Sequence, residues 1–290
     1  MSPGIETGPF GSLDFCFVAH SPMSREKVIG PCHICGIEGE LSFEHVPPRS
    51  AFNSRPVRVA RGRQLFSTPN IDELRTERQN RGAGDYTLCE RCNNNTGSWY
   101  GAAYSDWARQ GMELLSRARG DPTLIYPYRI LPLRVIKQVV CMFFSINAPD
   151  FRTRIPYLEE FVLARERKYL PDDIRIYAAY TTSPHTRSAG ASGILYEAGG
   201  FTHGVIVSEI GCPPFIYVMT LDSESPDRRL GDISWFAHSG YAESRSIDVR
   251  LPVLPINTPY PTDYRTRDEI QKAAAMSAAN AGRPDHERER

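Results

Sequence analysis

The sequence predicts an α+β chain in two units: a small one clasped by a metal ion, and a larger one with helices beside an antiparallel sheet. Three observations carry this. Four of the seven cysteines fall into two pairs, Cys32/Cys35 and Cys89/Cys92, each with two residues between. Apolar positions recur at helical spacing from residue 96 to about 168. After that the period changes to short β-branched and aromatic runs bounded by Gly, Pro, Asp and Ser.

Composition sets the limits. The 290 residues allow one large domain or two modest ones. Basic and acidic side chains balance at 34 each, so global charge does not draw the chain to nucleic acid, and any such attraction must come from a local basic patch. With 41% apolar residues the chain is too hydrophobic for wholesale disorder. The longest apolar stretch, residues 130–146, is interrupted by Arg134 and Lys137 and is shorter than the roughly 20 residues of a membrane span, so no membrane partner is expected. No basic n-region opens the chain and the cysteine count is odd, which argues against a secreted disulfide framework and for a reducing, cytoplasmic setting.

In chain order, residues 1–28 form a lead-in with one apolar run at 15–19, and residues 29–120 hold both cysteine pairs. Within them, Leu41 and Phe43 alternate as on a strand, and Pro47-Pro48 stops it, placing Glu44 and His45 at its rim. Residues 96–118 read as a helix with Trp99, Ala103, Trp107, Gly111, Leu114, Leu115 and Ala118 on one stripe, ended by Gly120-Asp121-Pro122. Trp99, Tyr100, Tyr104 and Trp107 are expected in the core rather than as a base-stacking platform. A second unit, 121–260, opens with a Pro-marked connection. Helices are expected at 132–147 and 155–168, and antiparallel strands at 174–181, 192–197, 203–210, 215–221, 233–237 and 247–254. Residues 261–290 are Ala-rich, then charged, and read as a flexible tail.

The chemistry sits between the cysteine pairs. Two-residue spacing lets one tight turn present two thiolates to one ion, and four thiolates suit tetrahedral zinc, which adds directly to folding stability. His33 lies inside the first knuckle and is expected as a surface neighbour, since four cysteines fill the coordination sphere. A carboxylate and an imidazole adjacent on a strand point to opposite faces unless the strand bends; the two prolines offer such a bend. Asn93 directly follows the fourth cysteine at the start of the long helix, so the metal draws Glu44, His45 and Asn93 into one locality from almost fifty positions apart.

The two knuckles, the Glu44-His45-Val46-Pro47-Pro48 segment and Cys92-Asn93-Asn94-Asn95-Thr96-Gly97 together resemble the HNH endonucleases, the zinc-stapled branch of the ββα-metal (His-Me finger) nucleases. The resemblance spans residues 29–110, just under a third of the chain. It implies a zinc-stapled ββα-metal domain followed by the α+β domain. It also implies an endonuclease hydrolysing phosphodiester bonds of nucleic acid, with DNA favoured over RNA. His45 becomes the general base, Glu44 a ligand of a catalytic Mg²⁺ or Mn²⁺, and Asn93 a second ligand, with Asn94 and Asn95 as alternatives. Cys32, Cys35, Cys89 and Cys92 become the ligands of a separate structural zinc. The family's middle asparagine has no counterpart at the usual place, so Asp85 or Asn80 stands in for it, or nothing does. The long connection from His45 to Cys89 implies an insertion between the strands.

These roles fit the residue types. A neutral imidazole accepts a water proton at physiological pH, and one carboxylate with one amide oxygen suits a hard cation with open positions. The insertion adds a partner signal: residues 49–81 hold eight arginines, among them Arg49, Arg55, Arg58, Arg61 and Arg63, against three acidic residues. Guanidinium forks match phosphate oxygens without reading bases. Two other readings stand beside this one: a nonenzymatic zinc-knuckle module that binds nucleic acid, or a nuclease effector of the kind met in phage defence, silent until its C-terminal domain senses a trigger. A homo-oligomer or regulatory partner through that domain belongs to the last.

Overall fold

The computed structural model describes residues 15–17, 27–60, 73–198 and 201–281. A short β1 (Phe15–Phe17) precedes β2 (Ile29–Pro31) and β3 (Glu38–His45). The insertion contributes β4 (Val57–Ala60) and β5 (Glu77–Gln79) before β6 (Gly84–Cys89) leads into α1 (Glu90–Thr96). A π-helical turn at Gly97–Gly101 joins α1 to α2 (Ala102–Arg117). Then follow β7 (Thr123–Ile130), α3 (Pro132–Ile146), α4 (Phe151–Arg154) and α5 (Pro156–Leu163). The chain continues through β8 (Ile174–Tyr180), β9 (His185–Ala198), β10 (Phe201–Cys212), β11 (Phe215–Leu221) and β12 (Gly231–Asp232). After a 3₁₀ turn at Ser234–His238 come β13 (Arg245–Pro252) and α6 (Arg267–Ala281). No helix among the described residues is long and apolar enough to cross a membrane.

Mixed α and β structure with antiparallel strands is as expected. The run β9-β10-β11-β8 is antiparallel throughout, and a shift between Val207 and Glu209 in β10 marks a bulge against β9. Two features extend that sheet beyond the sequence reading. β1 inserts in parallel beside β9, and β4 and β5 continue outward from it, giving the order β12-β8-β11-β10-β9-β1-β4-β5. Residues 15–17 of the lead-in and the β4 and β5 strands of the insertion therefore belong to the large sheet. β13 leaves it to pair with β7. The segment 233–237, read as a strand, is a 3₁₀ turn: Ser234 Oγ accepts from the Ile176 amide, and Ser234 N–H donates to Asp232 Oδ1, so side chains close the segment locally.

A single hydrophobic cluster runs from Cys32, Ile34 and Leu88 through Trp107 to the α3 side chains and Tyr217. Trp107 lies flat on Phe215 (centroids 4.7 Å apart, interplanar angle 6°), and its indole N–H donates to the Tyr217 hydroxyl at 2.9 Å. Tyr100, Tyr104 and Trp107 are core residues, as their spacing predicts, but the core they fill is shared with the sheet. Lys137, fully buried in α3, donates to the Phe161 and Ala164 carbonyls, which satisfies the end of α5 at Leu163. That explains why a helix expected to reach 168 stops earlier. Residues 261–266, expected in a flexible tail, are held instead. Glu209 accepts from the Thr262 amide and the Tyr264 hydroxyl, and Arg187 donates to the Thr258 and Asp263 carbonyls.

Candidate functional site

Four turns and ends converge on one point. Cys32 and Cys35 sit on the turn after β2, where the Gly36 amide donates to the Cys32 carbonyl at 2.8 Å. Gly36 has φ of 69°, and a Cβ there would overlap the Arg152 guanidinium packed against the turn. Cys89 ends β6 and Cys92 lies in the first turn of α1. The four sulfurs lie within 4.8 Å of one another and could hold a metal ion. Cys32 and Cys92 are fully buried, Cys35 and Cys89 half-buried. The clustered thiols share protons: a hydrogen bond from Cys92 pulls the Cys32 thiol down to about 4 while Cys92 is pushed up. A divalent cation would replace those protons. His33 is not a mere surface neighbour. Its Nδ1–H donates to the Phe144 carbonyl at 3.2 Å, and burial lowers its pKa. It struts the knuckle against the end of α3.

The hairpin beyond the thiols carries the other residues. β3 and β6 pair antiparallel, with Leu41 opposite Cys89, Glu44 opposite Asp85 and His45 opposite Gly84. The register skips Thr87 on β6, so β3 itself alternates without interruption. Ser42 and Glu44 consequently share the face toward α1, and Phe43 and His45 the other. Contacts agree. Asn93 Nδ2–H donates to Ser42 Oγ at 3.0 Å and to the Phe43 carbonyl at 3.3 Å. On the far face the His45 ring meets Phe43 edge-on at 5.0 Å, and Phe43 meets Tyr86 at 5.4 Å. The strand does not bend before His45, so the carboxylate and the imidazole lie on opposite sides of its rim.

On the helix side, Glu44 is 8% exposed, and among the described residues its carboxylate has no hydrogen bond or ion pair. Burial alone pushes its carboxyl up to about 8. Its charge is felt at Cys141, the buried thiol of α3. Asn93 faces the same stretch with a fixed orientation. Ser42 gives its hydroxyl proton to the Leu88 carbonyl at 2.8 Å, so its oxygen accepts from Asn93. Both Asn93 contacts therefore use the NH₂ group, and Oδ1 is left without a protein donor among the described residues. A carboxylate oxygen of a buried acid and an amide oxygen thus belong to the same face of the hairpin without a partner among the described residues, and oxygens of these two kinds are ones a hard cation accepts.

On the other side, His45 Nε2 lies 2.8 Å from the Arg81 carbonyl. A carbonyl only accepts, so Nε2 carries the proton and Nδ1 of the neutral ring keeps its lone pair. Burial first, then the charges of Arg49 and Arg81, lower the His45 pKa and keep the ring neutral. The brace between the two strand ends is Asn53, which sequence reasoning missed. Its Nδ2–H donates to the Pro47 and Ala83 carbonyls and its Oδ1 accepts from the Ala83 amide. A single polar side chain inside a loop carries no periodic signal. Asn80 is exposed and accepts from Arg78, and Asp85 Oδ1 accepts from the Tyr86 amide. Asn94 is exposed and Asn95 half-buried. Gly84 is the residue the close approach demands: a Cβ there would overlap the Glu44 carbonyl oxygen.

Of the arginines, Arg49 and Arg81 are the two whose charges act on His45, and Arg55 is exposed. Arg58 donates to Thr76 Oγ1 on the β4–β5 rim. Arg61 and Arg63 lie outside the described residues. Compared with known proteins, the chain matches no family model, no curated sequence and no solved structure.

Proposed function

We propose that the chain is a metal-dependent endonuclease of the HNH type that hydrolyses phosphodiester bonds, with DNA as the favoured substrate. One observation carries this reading: a buried Glu44 and an Asn93 Oδ1, both without a partner among the described residues, belong to one face of a hairpin whose end carries a cluster of four thiols. Zinc is the ion that four thiolates at this spacing favour, and its role would be to hold the turn between β2 and β3 against the junction of β6 and α1. Glu44 and Asn93 would hold a separate Mg²⁺ or Mn²⁺, which supplies charge neutralisation at the phosphoryl oxygens. The residues do the rest. His45, fixed by the Arg81 carbonyl on the face of β3 opposite Glu44, would serve as base only for a water reached around the end of the strand, where Nδ1 is the free acceptor. Arg49 and Arg81 lie beside it and offer positive charge to the phosphate backbone.

Nicking of supercoiled plasmid by the purified chain tests the reading. Cleavage is expected with Mn²⁺ or Mg²⁺ and not without added divalent cation. His45→Ala is expected to lose roughly 10²–10⁴-fold in rate with zinc content and melting temperature unchanged. Plasmid binding without turnover, indifferent to the cation, would instead identify a nonenzymatic binding module. Full activity in the His45 variant would reject the base.

A further inference from the structure

Two arginines of the C-terminal part converge on one aromatic pair. Arg134, in the first turn of α3, places Cζ 4.0 Å from the Tyr241 ring centroid, and its Nε–H donates to the Tyr241 carbonyl at 2.9 Å. Arg165, in the segment after α5, holds Cζ 5.7 Å from the same ring and 5.6 Å from that of Trp99. The Tyr241 hydroxyl donates to the Trp99 carbonyl, closing the group. Four separated stretches of chain thus meet at two guanidinium groups.

Neither arginine has a carboxylate partner among the described residues. The neighbouring acids Glu160 and Glu243 are engaged by Arg167 and Arg245. Arg165 is exposed and makes no hydrogen bond among the described residues, which leaves its five N–H donors open to a ligand there. Stacking on an aromatic face fixes a guanidinium plane while leaving its edge open, which suits bidentate recognition of phosphate. Two like charges over one ring repel each other, and an anion between them relieves that repulsion. Position matters too. Arg134 precedes Cys141 by seven residues, two turns along one face of α3, or about 10 Å. Cys141 is the residue at which the Glu44 charge is felt. Along α3 the pair therefore lies on the order of 10 Å from Cys141, about three steps along a nucleic-acid strand.

We propose that Arg134 and Arg165, held by Tyr241 and Trp99, form a clamp for backbone phosphates of the substrate strand a few nucleotides from the cleavage centre. This rests on the nuclease reading and assigns the C-terminal part a task in it, that of positioning the strand. The contact carries no base specificity.

Fluorescence anisotropy of the full chain with a short labelled DNA duplex, without added divalent cation, measures the slope of log affinity against log salt. Wild type is expected to show a steep negative slope. Arg165→Gln and Arg134→Gln are each expected to reduce its magnitude by about 1, and the double variant by about 2, whatever the DNA sequence. In the plasmid assay KM rises and kcat holds. Arg165→Gln removes an exposed side chain that has no hydrogen bond among the described residues, so its melting temperature should match wild type and keep the test clean. Wild-type binding with an unchanged slope in both variants would overturn the clamp alone and leave stacking as the pair's only role. Absence of salt-dependent binding by wild type would overturn the nucleic-acid reading as well. Arginine-dependent binding of inorganic phosphate without oligonucleotide binding would also overturn the clamp.

Discussion

Glu44 separates a structural reading from a functional one. A buried carboxylate without a partner costs folding free energy, and chains tolerate such a cost where a ligand later compensates it. Glu44→Gln should therefore raise stability by roughly 1–3 kcal/mol in the absence of divalent cation, measured by urea denaturation, while abolishing cleavage. Reduced stability would mean that the carboxylate has a structural partner. The identity of these residues was legible in the sequence: Glu44, His45 and Asn93 stand out because they sit beside prolines and thiols whose spacing is diagnostic. Their facing was not. The sequence raised a bend that would turn acid and imidazole to one side, whereas β3 alternates regularly through His45 because the extra residue of the pair, Thr87, lies on β6. Asn53 was illegible for a different reason: its bonds to Pro47 and Ala83 exist only once β3 and β6 have paired.

Among elements, the hairpin β3–β6 and helix α1 depend on the thiolate cluster more than on apolar burial. β3 exposes or half-exposes most of its residues, and α1 is seven residues long with no side-chain cap at Cys89. Helical backbone continues from α1 through the π turn into α2, so it is the uncapped first turn at Cys89 that a tether would hold. Removing the metal with a strong chelator, or substituting Cys89→Ser, should raise hydrogen exchange across Glu38–His45, Gly84–Cys89 and Glu90–Thr96 while β8, β10 and β11 stay protected. Metal analysis of the untreated chain should return one zinc per molecule. Uniform protection after metal removal would show that packing suffices. The elements of the large sheet were legible where burial makes runs continuous, as in β8 and β11, whose bounds match their apolar stretches. The reading failed at Ser234–His238, where an apolar run of strand-like composition is closed by its own serine and aspartate. It missed β4 and β5 because four and three residues are too few for an alternation to stand out within an arginine-rich stretch.

Across the whole molecule, the two predicted units share a core, and the chain after β13 is tied back by one buried ion pair. Arg187 and Glu209 are 1% and 0% exposed and meet at 2.7 Å. Glu209 also accepts from Thr262 and Tyr264. Glu209→Ala should destabilise the chain by roughly 3–5 kcal/mol, because it strands a buried guanidinium. The double variant Arg187→Met with Glu209→Leu should recover most of that loss, and a thermal melt compares them. If the double variant is as unstable as the single one, the pair's value lies in its bonds to the C-terminal segment rather than in charge balance. No apolar pattern reveals such a pair, since an arginine and a glutamate in adjacent strands read as surface residues. The central claim is that this shared framework holds a second cation at Glu44 and Asn93, apart from the thiolate ion. Anomalous diffraction from crystals of the zinc-loaded chain soaked in Mn²⁺ tests it most directly. Two peaks are expected, one at the zinc edge among Cys32, Cys35, Cys89 and Cys92, and one from manganese against the Glu44 carboxylate and Asn93 Oδ1. Manganese density nowhere near those two oxygens, in crystals whose thiolate site is filled, would contradict it.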